Sequence, residues 1–143
     1  MRRTLKRRVL FLAAVFALTS GLPFPALAGD ADPLFVNLTT SEPHRAKMAL
    51  TFSAAQLERG HPLTIFLNDK GVMLASKAYA TKFADHQKAL ADALAKGATV
   101  IVCPMCMKAY KVKEADLVTG VQLGKTELTG GALFKEGTRT LTW

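Results

Sequence analysis

Residues 98–106, Ala98-Thr99-Val100-Ile101-Val102-Cys103-Pro104-Met105-Cys106, decide how this chain is read. The uninterrupted, β-branched run that opens the stretch has the character of a strand buried on both faces, as a parallel sheet requires. Pro104 follows at what reads as the first helical position, where a missing N–H costs nothing and a fixed φ suits the helix. Cys103 is then the N-cap residue, with its sulfur facing the free N–H groups of the first turn, and Cys106 lies one turn on. Those donors and the positive end of the helix dipole favour an ionised sulfur, the form that acts as a nucleophile. These are the only two cysteines of the chain. A loop closed by cysteines three apart is too short to remove much unfolded-state entropy, so the pair reads as functional rather than as a staple. The alternative is two small buried hydrophobes.

Working outward, strand-like runs alternate with helical ones. Leu34-Phe35-Val36-Asn37-Leu38 reads as a first strand after Pro33. Thr39, Thr40 and Ser41 offer hydroxyl caps to a helix that has Pro43 in its first turn and runs to about Arg59. Ala46, Leu50, Ala54 and Leu57 give that helix an apolar face, and Gly60 closes it. Leu63 to Leu67 is a second strand, followed by the turn signal Asn68-Asp69-Lys70-Gly71. Val72 to Ala80 reads either as a loop packed on the core or as a short helix. Phe83, Leu90 and Leu94 mark another helix, with His86 and Gln87 breaking its stripe and Gly97 capping it. Beyond the cysteines a helix runs to about Tyr110, and Glu114 to Leu123 reads as loop with a short turn. Thr126 can cap a last helix, weakened by Gly130-Gly131, and Thr138 to Trp143 alternates as a closing strand.

Strands separated by helices imply right-handed crossovers and a parallel sheet covered on both faces, a fold of the α/β class. Such sheets hold ligands outside the carboxyl ends of their strands. That edge should gather Thr39-Thr40-Ser41, Asn68-Asp69-Lys70-Gly71 and Cys103-Pro104-Met105-Cys106. No glycine-rich phosphate fingerprint follows the first strand, and no repeat or low-complexity segment is visible.

The first 28 residues read as a signal peptide rather than as fold. Arg2, Arg3, Lys6, Arg7 and Arg8 form a basic region, and Val9 to Leu18 is an apolar stretch. Pro23 and Pro25 interrupt the run before it reaches the ~20 residues of a membrane span. Ala26-Leu27-Ala28 is a small-x-small cleavage signal, predicting cleavage before Gly29 and export to the periplasm or beyond. The arginine pairs also admit a twin-arginine route. The full chain of 143 residues carries 19 Lys+Arg against 11 Asp+Glu; without the five cations of the leader it has 14 against 11, a net charge of +3. Lysines and acids are interspersed, which excludes a nucleic-acid footprint, and no membrane role is expected once the leader is gone. The remaining residues, 29–143, suit a single domain.

The order of elements and several short strings resemble the DsrE/DsrF-like family of small α/β proteins, which includes sulfur-relay subunits. The resemblance covers nearly all of residues 33–143. It rests on Asn37-Leu38-Thr39-Thr40 before an alanine-rich helix, on Gly60-His61 before the second strand, and on Phe66-Leu67-Asn68-Asp69-Lys70-Gly71-Val72. The cysteine after the third strand and the closing strand ending in an aromatic complete it. It implies a flavodoxin-like three-layer α/β/α sandwich with a mainly parallel sheet, association into trimers or hexamers, and a sulfur-carrying cysteine at the position of Cys103. Some relatives carry a second cysteine where this chain has Cys106. The chain departs from the pattern at Tyr110-Lys111, where relatives often have glycine at the end of the cysteine helix. It departs too in its leader.

Three chemistries fit these residues. In the first, Cys103 takes up a sulfane sulfur or attacks a disulfide, and Cys106 resolves the product; the activity would resemble that of a sulfurtransferase or thiol-disulfide oxidoreductase. Partners would be sulfur donor and acceptor proteins or small sulfur compounds, no cofactor is expected, and Lys108, Lys111 and Lys113 would favour an anionic donor. In the second, Cys103, Cys106 and Met105 bind Cu(I), a soft ion suited to sulfur ligands. Met107 stands two residues from Met105 and cannot face the same way, so one of them belongs to the core; zinc would need two more ligands than the chain supplies at suitable spacing. In the third, the protein is a non-catalytic subunit of a homo-oligomeric assembly, its cysteines locked by an oxidising compartment. His44 and His61 read as surface or capping residues, and His86 as a core or interface histidine that could underlie the cysteine loop. Asn68 and Asp69 are the candidates for polar groups supporting the cysteines, and Trp143 reads as packing.

Overall fold

The computed structural model describes residues 31–143, so the expected leader and its cleavage point lie outside the described residues. The strands are β1 (Leu34–Leu38), β2 (Leu63–Leu67), β3 (Thr99–Val102), β4 (Gln122–Leu123) and β5 (Arg139–Thr142). All pairings are parallel, in the order β4-β3-β2-β1-β5. The helices are α1 (Pro43–Glu58), α2 (Ala80–Ala95), α3 (Pro104–Ala109) and α4 (Thr126–Leu133). Three right-handed crossovers step one way from β1 to β4 and lay α1, α2 and α3 on one face; the return to β5 steps back and lays α4 on the other. The result is a flavodoxin-like three-layer sandwich.

Register explains which face is the core. In-register rows such as Val36–Ile65–Val100 and Leu38–Leu67–Val102 share one face. They are buried against Ala46, Ala49 and Leu50 of α1, Phe83, Leu90 and Ala93 of α2, and Met107 of α3. Fully burying each such large side chain contributes roughly 1.5–3 kcal/mol. The opposite rows mix Phe35, Phe66 and Ile101 with Asn37, Thr64, Thr99, Thr140 and Thr142. Among the described residues only α4 is placed over them; its Thr129 and Leu133 line a cavity of about 340 Å³ with Phe35, Asn37, Phe66 and Thr142. No helix among the described residues is long and apolar enough to cross a membrane.

Local readings need three corrections, and one open reading is resolved. The hydroxyls of Thr39, Thr40 and Ser41 do not cap α1. Pro43 occupies the first helical position, so the residue before it takes the cap, and the Glu42 carboxylate accepts the His44 and Arg45 N–H groups at 3.1 and 2.6 Å. Thr40 instead accepts the Glu42 N–H at 3.0 Å. Likewise Thr126 is the first residue of α4 rather than its cap; Lys125 holds that position and gives no side-chain cap. The ambiguous Val72–Ala80 region belongs to two 3-10 segments, Asp69–Ala75 and Lys77–Tyr79, and the start of α2. Finally, the expected loop before Leu123 contains the edge strand β4, two residues long, with Gly124 N–H bonded to the Val102 carbonyl at 2.8 Å.

Gly71 fixes how closely the Asp69–Ala75 segment lies on the end of β1. A Cβ there would sit 2.1 Å from the Leu38 carbonyl oxygen, a contact no small shift removes. Gly71→Ala should therefore destabilise the fold by about 2–3 kcal/mol, read as a fall in the urea midpoint. A second expectation concerns pH. The backbone donors of Arg45 and His44 hold the exposed Glu42 carboxyl below its usual range. A depressed folded value means stability that is present at neutral pH and lost as pH falls through that value. The difference in urea midpoint between the protein and Glu42→Gln should thus be seen at pH 7 and vanish near pH 3.

Candidate functional site

Three loops converge at the carboxyl edge of the sheet, as the alternation of strands and helices requires. Asn68 N–H donates to the Leu38 carbonyl at 3.1 Å and Gly71 N–H to the Thr39 carbonyl at 3.2 Å, tying the loop after β2 to that after β1. The Asn68 side-chain amide also donates to the Asn37 side-chain amide oxygen Oδ1. Cys103 N–H donates to the Leu67 carbonyl at 2.9 Å, tying in the loop after β3. The switch point of the sheet, between β1 and β5, is closed: both the backbone N–H and the hydroxyl of Thr39 donate to the Trp143 carbonyl, and the Trp143 ring packs on Phe52.

Cys103 is the N-cap of α3, with φ −76° and ψ 114°, and Pro104 stands at the first helical position. Its sulfur accepts the Cys106 N–H at 3.4 Å, and its carbonyl accepts the Met107 N–H at 2.9 Å. Cys103 is only 8 % exposed, whereas Cys106 is half-buried and neither forms a disulfide. Burial pushes the Cys106 thiol above its ordinary value and the Cys103 sulfur adds to the shift, while the Asp69 backbone N–H pulls the other way. Met105 stands between the cysteines at 81 % exposure, while Met107 is buried in the core.

Of the expected supporting groups, Asp69 lies beside α3, bonded to Tyr110, and the Asn68 side chain ties the loop after β2 to Asn37 of β1. Asp69 adopts φ +45°, the left-handed region that non-glycine residues seldom enter, and its carboxylate accepts a hydrogen bond from the Tyr110 hydroxyl. Tyr110 was not legible as a site residue; the one available signal was its position one turn after Cys106. The Tyr110 hydroxyl is held above its usual range because it donates to the Asp69 carboxylate. Lys108, Lys111 and Lys113 are exposed, and none forms an ion pair among the described residues. Among the same residues no cluster of three or more His, Cys, Asp or Glu side chains is set to hold a metal ion.

The histidines lie elsewhere. His44 is exposed in the first turn of α1, and His61 Nδ1 lies 2.8 Å from the Asp32 carbonyl. His86 is buried, with Nε2 donating to the Pro43 carbonyl at 2.8 Å and its ring edge-on to Phe83. It joins α2 to the start of α1, and no hydrogen bond links it to the cysteine loop.

What the fold and site define together is a small α/β domain presenting a cysteine pair at the mouth of a short helix on the sheet's ligand edge. The DsrE/DsrF-like family profile matches residues 34–143, and the chain belongs to that family. Among curated proteins it is similar to the uncharacterised protein MJ0989 of Methanocaldococcus jannaschii, 36 % identical over 93 residues that span 62 % of this chain and 82 % of that one. It is also similar to MK0008 of Methanopyrus kandleri, 34 % identical over 80 residues, 55 % of this chain and 66 % of that one. The fold matches the crystal structure of the Escherichia coli ychN protein with a TM-score of 0.66 at 17 % identity, covering 79 % of this chain and 99 % of that one. It matches a protein of unknown function, MTH1491 of Methanobacterium thermoautotrophicum, with a TM-score of 0.63 at 11 % identity, covering 78 % and 98 %.

The departure at Tyr110-Lys111 has a backbone consequence. Lys111 adopts φ +56°, a conformation that glycine enters freely and a lysine enters at a cost of about 1 kcal/mol. Lys111→Gly should raise stability by about 0.5–1 kcal/mol in urea unfolding while leaving the cysteine pair in place.

Proposed function

We propose that this protein is a sulfur carrier that holds sulfane sulfur on Cys103 and uses Cys106 to resolve it. The observation that carries this reading is the N-cap position of Cys103, whose sulfur accepts the Cys106 backbone N–H at the mouth of α3. A sulfur so placed has its developing charge met by fixed donors. The ionised Cys103 attacks the outer sulfur of a donor persulfide. A bond forms between the two sulfurs, the donor's own sulfur–sulfur bond breaks, and its electron pair leaves on the donor thiolate. The Cys103 persulfide then passes its outer sulfur to an acceptor thiolate by the same exchange. Without an acceptor, ionised Cys106 attacks the Cys103 sulfur instead. The two cysteines are oxidised to a disulfide and the outer sulfur departs, reduced, as hydrosulfide; a reducing dithiol restores the pair.

The burial of Cys103 favours a slender donor, either a small sulfane compound or a persulfide at the tip of an extended side chain. The exposed Lys108, Lys111 and Lys113 suit an anionic one, and the exposed Met105 gives a protein partner an apolar contact beside the sulfurs. The thinly covered face beneath α4, with Phe134 exposed at 85 %, supports association of like copies. The leader-like first 28 residues support work outside the cytoplasm.

Intact-mass measurement after incubation of the reduced protein with a sulfane donor tests the reading. The unmutated protein should gain one sulfur, Cys103→Ser should gain none, and Cys106→Ser should retain the adduct at least tenfold longer. An unmutated, reduced protein that gains no sulfur overturns the carrier. Tight one-to-one Cu(I) uptake lost in either serine variant would favour the copper reading in its place.

A further inference from the structure

The peptide unit that carries the nitrogen of Cys103 is held from both sides. Its N–H donates to the Leu67 carbonyl at 2.9 Å, and its carbonyl, that of Val102, accepts the Gly124 N–H at 2.8 Å. The first bond ties the strand-to-helix junction to β2, and the second ties it to the residue that follows β4. β4 itself pairs only with β3, by Ile101↔Gln122 and Val102↔Leu123. Gly124 thus adds one more rung where β3 ends and the cysteine helix starts.

Gly124 lies outside the left-handed region, so its backbone conformation does not call for glycine. The space around it does. A Cβ there would stand 2.9 Å from the Val102 carbonyl oxygen, 3.4 Å from Ile101 Cγ2 and 3.5 Å from Pro104 Cδ. The residue before Cys103 and the residue after it therefore both meet Gly124. The nearest of these atoms is backbone, so no side chain can turn aside. An added methyl group must push the end of β4 off the carbonyl or turn the carbonyl away.

We infer that Gly124 is a positioning residue for Cys103: its N–H and its missing side chain fix the peptide between β3 and α3, and with it the direction in which the Cys103 sulfur leaves the chain. This deepens the carrier reading and rests on it for the step affected, the loading of Cys103. In that step the ionised sulfur bonds to the outer sulfur of a donor persulfide, the donor's sulfur–sulfur bond breaks, and its electron pair leaves on the donor thiolate.

The Cys103 sulfur accepts the Cys106 N–H at 3.4 Å. Such a contact weakens steeply as its angle closes. Turning the peptide before Cys103 swings the sulfur away from that donor, and the ionised form loses a hydrogen bond that favours it. Gly124→Ala should therefore slow Cys103. A general loosening of the fold acts in the opposite sense, because it uncovers a buried sulfur and speeds any reagent that needs access to it. β4 lies at the edge of the sheet, so its displacement leaves the pairings among the other four strands intact.

The test is the pH profile of Cys103 alkylation by iodoacetamide, with and without Gly124→Ala, in a Cys106→Ser background that keeps the N–H of position 106. At pH 8 the rate should fall about threefold and the midpoint of the profile should move up by about half a unit. In a Cys103→Ser background the same substitution should leave the alkylation of Cys106 unchanged. Gly120→Ala is the control for lost stability: its Cβ would meet Leu94 Cδ1 at 3.3 Å, away from the junction. It should lower the urea midpoint without slowing Cys103. In the two-cysteine protein, sulfur uptake should slow about threefold in Gly124→Ala, in step with the alkylation rate. A Cys103 that reacts unchanged or faster in Gly124→Ala, or equal slowing of Cys106 or of the Gly120→Ala control, overturns the assignment. Hydrogen exchange of the unmutated protein decides the matter should Gly124→Ala fail to fold. The Gly124 amide should be protected about a hundredfold, alongside that of Cys103. A Gly124 amide that exchanges as freely as an unbonded one overturns the clamp. A protein that takes up no sulfur sinks the carrier reading, while the alkylation rates still decide the role of Gly124.

Discussion

A helix whose first residue is proline must be capped by the residue before it, and here that residue is a cysteine. Cys103 is consequently restrained on every side: its N–H by Leu67, its carbonyl by Met107 and its sulfur by the Cys106 N–H. The chain reaches this point directly from β3, a central strand paired on both edges, so the sulfur is placed with the rigidity of the sheet. Pro104 contributes twice, by fixing φ and by having no N–H left unsatisfied. The same arrangement makes α3 only six residues long without leaving it unanchored, because its first turn is bonded to the cap and Met107 is sunk in the core.

Doubly wound sheets commonly use the crevice where the strand order reverses, and in this protein that crevice is filled. Thr39 and Trp143 are bonded across it, and the indole packs against Phe52 on α1. The cysteine pair lies two strands along the edge, at the end of β3. There the groups that surround the sulfurs are brought by the loop after β2, which can lie so close only because Gly71 has no side chain. One glycine on the far side of the loop thereby determines where Asp69 meets Tyr110 on α3.

Much of the architecture was legible because it follows from local rules. Strands β1, β2 and β3 were read at or within one residue of their observed limits from β-branched runs bounded by Pro, Gly and Asn. The N-cap role of Cys103 followed from a proline alone. The same rule, applied to Pro43, would have named Glu42, but three hydroxyl residues nearby competed with it in the reading. β4 left no trace, since two residues carry no periodicity and it is its pairing with β3 that makes them a strand. The turn signal at 68–71 did not say which residue bends the backbone; the left-handed residue is Asp69, and Gly71 serves close approach.

The sequence by itself determined the parallel three-layer class, the family, and the cysteine pair at a strand-to-helix junction, since periodicity, proline and spacing act over a few residues and need no distant partner. Only the tertiary structure decided what faces the sulfurs. Asp69 and Tyr110 are 41 positions apart, and they meet because β2 and β3 are neighbours whose following loops are cut to lie on one another. Which of Met105 and Met107 is buried was decided the same way, by how α3 settles on the sheet: residues two apart on a helix point to different sides, and only the core beneath selects between them.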